Sequence, residues 1–376
     1  MKIRNVRAIG LYGMTPEGGW SRDHQPDECI HTLVIVETDD GLTGLGSVST
    51  NDRLVLASLD VLNPYLIGEN ALEPERVTEK LRQHMFWFGR GGAIEHTISG
   101  IDIAMWDILG KATSQPVGRL LGGRYRDRVR PYASLLMTDP GPLGDRLTEI
   151  KEEGFCAFKI GWGPFGRVDR RTDEAIVRAA RDAIGDEADL MVDAGGSDSF
   201  WPNGFKWALN TASMLADYGV AWFEEPLAPD AMDAYVRLRD SAPVPIAGGE
   251  VLTRRQSFQA WIAAGAFDIV QPDVTKAGGL GEARRVGWMA EDHDIRLIPH
   301  GWNTAVGLAA DLHLASALPR TTYVEYISGS PYVDALVAKP WKLDDEGFLP
   351  IPIESGLGIE LDPDALSRYG RDRPSK

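Results

Sequence analysis

The sequence predicts an α/β protein: a (β/α)8-type barrel behind a smaller N-terminal α+β domain. Three observations lead there. From about Val129 onward, short apolar runs alternate with helical segments roughly every 25–30 residues, the spacing of βα units. From the third run onward, each run carries an acidic residue or a histidine at or next to its end, as barrel strands do where they meet at one mouth. No G-x-G-x-x-G follows the first strand of any unit, which argues against the runner-up, a doubly wound open sheet.

Residues 1–125 read as the α+β domain. Strand patterns cover Ile3–Leu11, His31–Glu37 and, after the turn Asp39-Asp40-Gly41, Leu42–Val48. Helical patterns follow and end in Thr97–Lys111. Between the first two strands lies Gly13–Asp27, about 15 residues rich in Gly, Pro and charge, long for a connection without periodicity. It reads as a disordered loop or a lid.

The barrel is expected over 126–340. Its strand runs are Val129–Leu135, Ala157–Trp162, Asp189–Asp193, Val220–Pro226, Pro245–Glu250, Phe267–Asp273, Ile295–His300 and Thr322–Tyr326. Amphipathic stretches such as Asp173–Ile184, Arg255–Ala264 and Gly281–Glu291 lie between them. The segment 341–376 has loop composition and is expected to pack back on the N-terminal domain.

Of the 376 residues, 43% are hydrophobic and 25% charged, ordinary values for a chain with a full core. The net charge of −16 disfavours nucleic acid or an anionic membrane as partner, and obliges any anionic substrate to find local positive charge. Two cysteines, Cys29 and Cys156, form no C-x-x-C and no disulfide framework, which suits a reducing compartment. The N-terminus is too charged for a signal segment and no run approaches 18 apolar residues, so a soluble, cytoplasmic protein is expected.

The stretch Ala221–Leu227, AWFEEPL, places two adjacent carboxylates at the end of an apolar run. Either both are solvated loop residues or one is held by a cation. The other strand ends decide between these. Asp193, Glu224 and Glu250 close three neighbouring strands, and three carboxylates without nitrogen or sulfur ligands suit a hard divalent cation, Mg²⁺ before Mn²⁺. Glu224 would be a ligand, and Glu225 would turn away to pair or meet solvent. Lys159, in the second run, would help balance the charge. Asp273 and His300 close adjacent strands; a carboxylate on one imidazole nitrogen raises the basicity of the other, making His300 the best general base in the chain. The remaining histidines read as surface or structural groups, apart from His24, whose loop is long enough to reach the mouth.

These residues resemble the enolase superfamily, and within it the mandelate racemase subgroup. The resemblance runs through SGIDIAMWDILGK (99–111), Pro116-Val117, Leu120–Gly123, MVDAGG (191–196), FEEP (223–226), GGE (248–250), QPDVTKAGG (271–279) and PHGWNT (299–304). It implies a capping α+β domain on a modified TIM barrel of (β/α)7β form, with Mg²⁺ on Asp193, Glu224 and Glu250. It also implies abstraction of the proton α to a carboxylate, giving an enediolate stabilised by the metal. Asp273 stands where muconate-cycloisomerase-like relatives carry a catalytic lysine. Glu325 matches the eighth-strand glutamate that would hydrogen-bond the substrate carboxylate, the competing reading being a salt-bridged rim residue. Racemases of this subgroup carry Lys-x-Lys on the second strand; here Lys159 matches the first lysine and Gly161 replaces the second, leaving one base. One base suffices for dehydration, so the resemblance implies an acid-sugar (aldonate or aldarate) dehydratase, similar at this strand to L-rhamnonate dehydratases. Trp20 and His24 in the lid, with Trp302 and Asn303 beyond the base, would contact substrate, and Lys276 would be a supporting cation near Asp273 or Glu250. Relatives commonly form symmetric oligomers. The rival readings are a cycloisomerase or epimerase using the same enediolate, and a catalytically idle regulatory relative.

Overall fold

A computed structural model describes residues 1–13, 28–198 and 200–372. Three N-terminal strands, β1 (Ile3–Leu11), β2 (His31–Thr38) and β3 (Thr43–Val48), form an antiparallel meander. The central strand β2 is apolar at consecutive positions because both of its faces are covered. Val34 and Val36 pack with the helices of this domain, whereas Leu33 and Ile35 join the core shared with the barrel. Helix Gly92–Thr113 lies directly on β3. A Cβ at Gly44 would sit 2.0 Å from the Ala104 carbonyl oxygen, and one at Gly46 would sit 1.9 Å from that of Gly100, so the two glycines are what permit the approach.

The barrel strands are β4 (Arg128–Leu136), β5 (Ala157–Gly161), β6 (Asp189–Asp193), β7 (Val220–Glu224), β8 (Ile246–Gly248), β9 (Ile269–Val270), β10 (Arg296–Leu297) and β11 (Tyr323–Ile327). β4 through β10 pair in sequence, all parallel, and β11 returns to pair with β4. Among the described residues no ladder joins β10 to β11. The sheet is nevertheless curled round on itself: Tyr132 of β4 meets Trp222 of β7 edge-on at 5.5 Å, and Trp222 meets Tyr323 of β11 at 5.8 Å. Strands that far apart in an open sheet would not touch.

Strand alternation sorts the side chains. Tyr132, Ala157, Met191, Trp222, Ala247, Ile269 and Ile298 form one cluster inside the barrel, while Phe158, Ile160, Leu190, Val192, Phe223, Ile246 and Val270 pack outward under the helices. Trp222 is 1% exposed, and its truncation to alanine would cost about 3–5 kcal/mol. The expected strands were too long at β8, β9 and β10, where the chain leaves the ladder before its functional residue.

The C-terminal segment touches both units. Leu349–Pro350 pairs antiparallel with β4, and Gly370–Asp372 pairs antiparallel with β1. Between them Val117 donates to the Gly356 carbonyl, and Leu357 N–H to Asp107 Oδ1 at 2.8 Å.

Candidate functional site

The site is the next inward layer of the barrel. Two residues beyond the interior cluster, the same alternation brings in Ser134, Lys159, Asp193, Glu224, His300 and Glu325. Gln271 and Asp273 continue from Ile269 in the same way. Glu250 does not follow this parity. Gly249, at φ +115, turns the chain between Ala247 and Glu250, a left-handed conformation that a side-chain-bearing residue rarely adopts.

Asp193, Glu224 and Glu250 each offer a carboxylate oxygen, and these lie within 4.8 Å of one another, all buried. Burial and repulsion from Glu224 and Glu250 push the Asp193 carboxyl well above the ordinary carboxylate range. Three converging oxygens, buried and mutually repelling, fit a hard divalent cation. The other donors around them hold the ligands in place. Trp222 Nε1–H and Gln271 Nε2–H both donate to Glu224 Oε2, at 2.9 and 2.7 Å. Trp162 Nε1–H and Gly195 N–H donate to the two oxygens of Asp193, at 3.1 and 2.8 Å.

Lys159 Nζ lies 2.5 Å from Glu224 Oε1 and 3.0 Å from Glu325 Oε1, but 3.9 Å from Asp193 Oδ2. Burial alone would strip its proton; Glu224 and Glu325 outweigh burial and keep the ammonium charged. Glu325 also accepts Gly301 N–H at 2.7 Å. Burial would raise its carboxyl, yet Lys159, His300 and that N–H hold it down to about 2. Glu325 is a buried carboxylate paired with Lys159 in the cavity wall, not an exposed rim residue.

His300 Nδ1 is 2.9 Å from Asp273 Oδ2, and its Nε2 is 3.2 Å from Glu250 Oε2. Asp273 is fixed in turn by the Thr275 amide and hydroxyl, and Lys276 Nζ stands 3.6 Å away. Burial and Lys276 disfavour the imidazolium; Glu250, Glu325 and Asp273 win, so the imidazole binds its proton above the usual range. Lys276 thus occupies the supporting position expected of it.

Glu225 takes the first of the two alternatives the sequence left open. It turns away from Glu224, with backbone φ +40, but remains 2% exposed and accepts the Ser197 hydroxyl at 2.5 Å. It pairs and does not meet solvent. Burial and the nearby Glu250 and Asp193 push its carboxyl well up.

A cavity of about 270 Å³ opens over these groups, lined by Lys159, Asp193, Glu250, Lys276, His300 and Glu325 among others. Trp302 lines it as expected. Asn303 does not: it is fully buried behind the wall, with its amide 3.5 Å from Asp311 Oδ2. The chain at 301–303 makes a tight turn, Asn303 N–H to the Gly301 carbonyl, which faces Trp302 inward and Asn303 back into the protein. Trp20 and His24 lie outside the described residues. Sequence reasoning missed Trp162, Gln271 and Ser134. Inward parity flags Gln271 and Ser134; nothing flags Trp162, which reaches the site only through its left-handed backbone at φ +61.

Gly161 lies against Asp193. A Cβ there would meet Asp193 Cβ at 3.1 Å and Oδ2 at 3.2 Å, tight contacts that any side chain at 161 would have to relieve by shifting Asp193.

Comparison with known proteins gives the chain its family. Residues 26–122 match the mandelate racemase / muconate lactonizing enzyme N-terminal domain, and residues 143–365 the enolase C-terminal domain-like family. The chain is 34% identical, over its whole length and that of the relative, to D-galactarolactone cycloisomerase of Agrobacterium fabrum. It is 33% identical to D-galactonate dehydratase of Xanthomonas oryzae, over 90% of this chain and 91% of that one. Among solved structures, 3,6-anhydro-D-galactonate cycloisomerase from Zobellia galactanivorans superimposes with a TM-score of 0.88 at 29% identity, covering 99% of this chain and 100% of that one. With capping domain, barrel and acidic triad all in place, the chain belongs to the enolase superfamily, in the mandelate racemase subgroup, and is an enzyme.

Proposed function

We propose that the protein is a Mg²⁺-dependent dehydratase of sugar acids. The observation that carries this reading is the single imidazole base, His300 on Asp273, set against a carboxylate triad, with a glycine that carries no base at 161. Asp193, Glu224 and Glu250 would hold the cation, which when bound supplies positive charge where a substrate carboxylate gains its second negative charge.

The chain's own groups do the rest. Asp273 accepts the Nδ1–H of His300 and fixes the tautomer, leaving Nε2 to take the proton α to the carboxylate. The resulting imidazolium then returns that proton to the departing β-oxygen on the same face, and the enol product ketonises to a 2-keto-3-deoxy acid. Lys159 supplies fixed positive charge in the cavity for the developing anion. Racemisation, which needs a base on each face, is disfavoured.

One specific observation favours a second reading. Two full-length relatives are named cycloisomerases. The same residues would open a lactone or anhydro ring if the β-oxygen expelled belonged to that ring. A semicarbazide screen across sugar acids and their lactones, with Mg²⁺, tests both. Keto product from open-chain acids supports dehydration, and keto product from ring forms alone supports ring opening. α-Deuterium exchange in D₂O without any keto product would exclude both in favour of an epimerase.

A further inference from the structure

The two barrel strands that lead to the base are the shortest. β9 and β10 share only the ladder pairs Ile269–Arg296 and Val270–Leu297. Asp273 and His300 stand beyond that ladder, joined to each other by an isolated bridge. Asp193 and Glu224, in contrast, are themselves paired within the ladder of β6 and β7. The sheet therefore fixes two carboxylates of the triad directly and leaves the Asp273–His300 pair to be held from elsewhere.

Asp273 opens a single turn, its carbonyl accepting the Lys276 and Ala277 N–H groups at 3.0 and 2.7 Å. The next residue, Gly278, is bonded to the N-terminal domain through both of its backbone groups. Its N–H donates to Ser99 Oγ at 2.8 Å, and its carbonyl accepts Arg82 Nη2–H at 2.8 Å. Gly278 and Gly279 have φ of +114 and +85, and a Cβ on Gly279 would sit 2.3 Å from Asp102 Oδ1, so the turn is shaped to helix Gly92–Thr113. Ser99 is fully buried and gives its own proton to the Glu95 carbonyl at 2.8 Å, which leaves its oxygen to accept. The barrel adds Arg254 N–H on the Ala277 carbonyl at 3.0 Å. The His300 side is tied in the same way. Thr304, which caps helix Ala305–Ala317, donates its hydroxyl to Ser47 Oγ of β3 at 2.9 Å, and both residues are fully buried.

Resting on the reading of His300 as the base, we infer that Ser99 and Ser47 are positioning residues for it. Through them the N-terminal domain sets Asp273 against His300, and so aims Nε2, while the barrel ladder sets Asp193 and Glu224. Neither serine lines the cavity, so each acts only through the turn it holds. The bond from Gly278 to Ser99 also gives a physical reason for two stretches far apart in sequence, SGID (99–102) and KAGG (276–279), to occur together. A base must be held within a fraction of an ångström of its productive place, since a shift of about 1 Å can cost about 10²-fold in rate.

The test uses the full chain with Mg²⁺, its seven histidines labelled with ¹⁵N. The low-field Nδ1–H resonance of His300 is identified by its loss in His300→Asn. In Ser99→Ala that resonance should move upfield, and its exchange with water should quicken by about tenfold. Ser47→Ala should do the same from the other side. Mg²⁺ affinity, read by calorimetry, should hold in both. On the acid that yields keto product, kcat should fall about tenfold with KM unchanged. The control is Glu75→Gln, which breaks a pair with Arg285 across the same seam, 3.0 Å long and bonded to neither turn; it should leave the resonance and kcat in place. An unmoved resonance in both serine variants, or an equal shift in Glu75→Gln, overturns this inference and leaves the proposed function standing. Loss of Mg²⁺ affinity in Ser99→Ala also overturns it, because the serine would then support the whole mouth and not the base. Normal turnover by His300→Asn overturns the proposed function and this inference together. A screen without keto product overturns the function alone, since the resonance still decides the positioning.

Discussion

Two groups of buried charge in this protein use the same residue types and reach opposite ends. At the seam between the N-terminal domain and the barrel, Arg82 bonds Glu95 at 2.8 Å and the Gly278 carbonyl, while Glu282 is met by Arg255 at 2.5 Å and Arg285 at 2.9 Å. Burial would raise the Glu282 carboxyl, and the arginines overcome burial and hold it low. At the barrel mouth, Asp193 is equally buried, yet its neighbours are carboxylates and its nearest lysine is 3.9 Å away, so its carboxyl is driven up. Burial is common to Glu282 and Asp193; compensation by neighbouring cations is not. A buried cluster neutralised from within holds domains together, whereas one left under-compensated is built for something that arrives from outside.

The sharpest way to test this contrast is at the base. His300→Asn should lower turnover by about 10²–10⁴-fold, with Mg²⁺ affinity measured by calorimetry little changed; near-normal turnover would place the base elsewhere. Glu250→Gln should impair both, weakening Mg²⁺ by more than the roughly 10–100-fold typical of an outer-shell loss. Unchanged Mg²⁺ binding would remove Glu250 from the ligand set.

At the seam the readout is stability instead. Arg82→Met strands Glu95 and should cost about 3–5 kcal/mol in denaturant unfolding while Mg²⁺ affinity holds. If Mg²⁺ binding fell and stability did not, the two clusters would not be separate devices.

Asp102 adds a pH dependence to the seam. It accepts Gly281 N–H at 3.2 Å, and burial, against the pull of Arg82 and that N–H, lifts its carboxyl from 3.8 to about 7. The folded chain therefore binds this proton more tightly than the unfolded chain. The stability it brings is complete below 3.8 and is lost as pH rises through about 7. Asp102→Asn should accordingly gain stability over the wild type at pH 8 and show no gain near pH 3.5, the difference bounded by about 1.4 kcal/mol per pH unit across that window. The smallest expected effect is at Trp162→Phe. Loss of the indole N–H on Asp193 should weaken Mg²⁺ by about tenfold at most, and a larger loss would mean that the indole also shapes the pocket.

Much of this arrangement was legible before any coordinates. Asp189–Asp193 and Ile3–Leu11 stand where the apolar runs put them, because strand period and burial coincide there. Asp193, Glu224, Glu250, Asp273 and His300 converge because strand ends of a barrel must. What stayed hidden depends on backbone rather than side-chain pattern. The left-handed turn at Trp162 and the reversal that buries Asn303 are set by tertiary contacts that no periodicity reports. For Glu225 the sequence left pairing and solvent both open, because an adjacent pair of acids gives no hint that Ser197 waits for one of them. Trp20 and His24 fall outside the described residues.

That no ladder joins β10 to β11 among the described residues has a consequence of its own. Between these strands the Gly301–Glu325 bond and interior packing make the contact, and the base stands one residue before Gly301. Gentle warming should pry this margin apart while the rest of the ring stays shut. The protein would then fall silent at temperatures where circular dichroism still registers an intact fold.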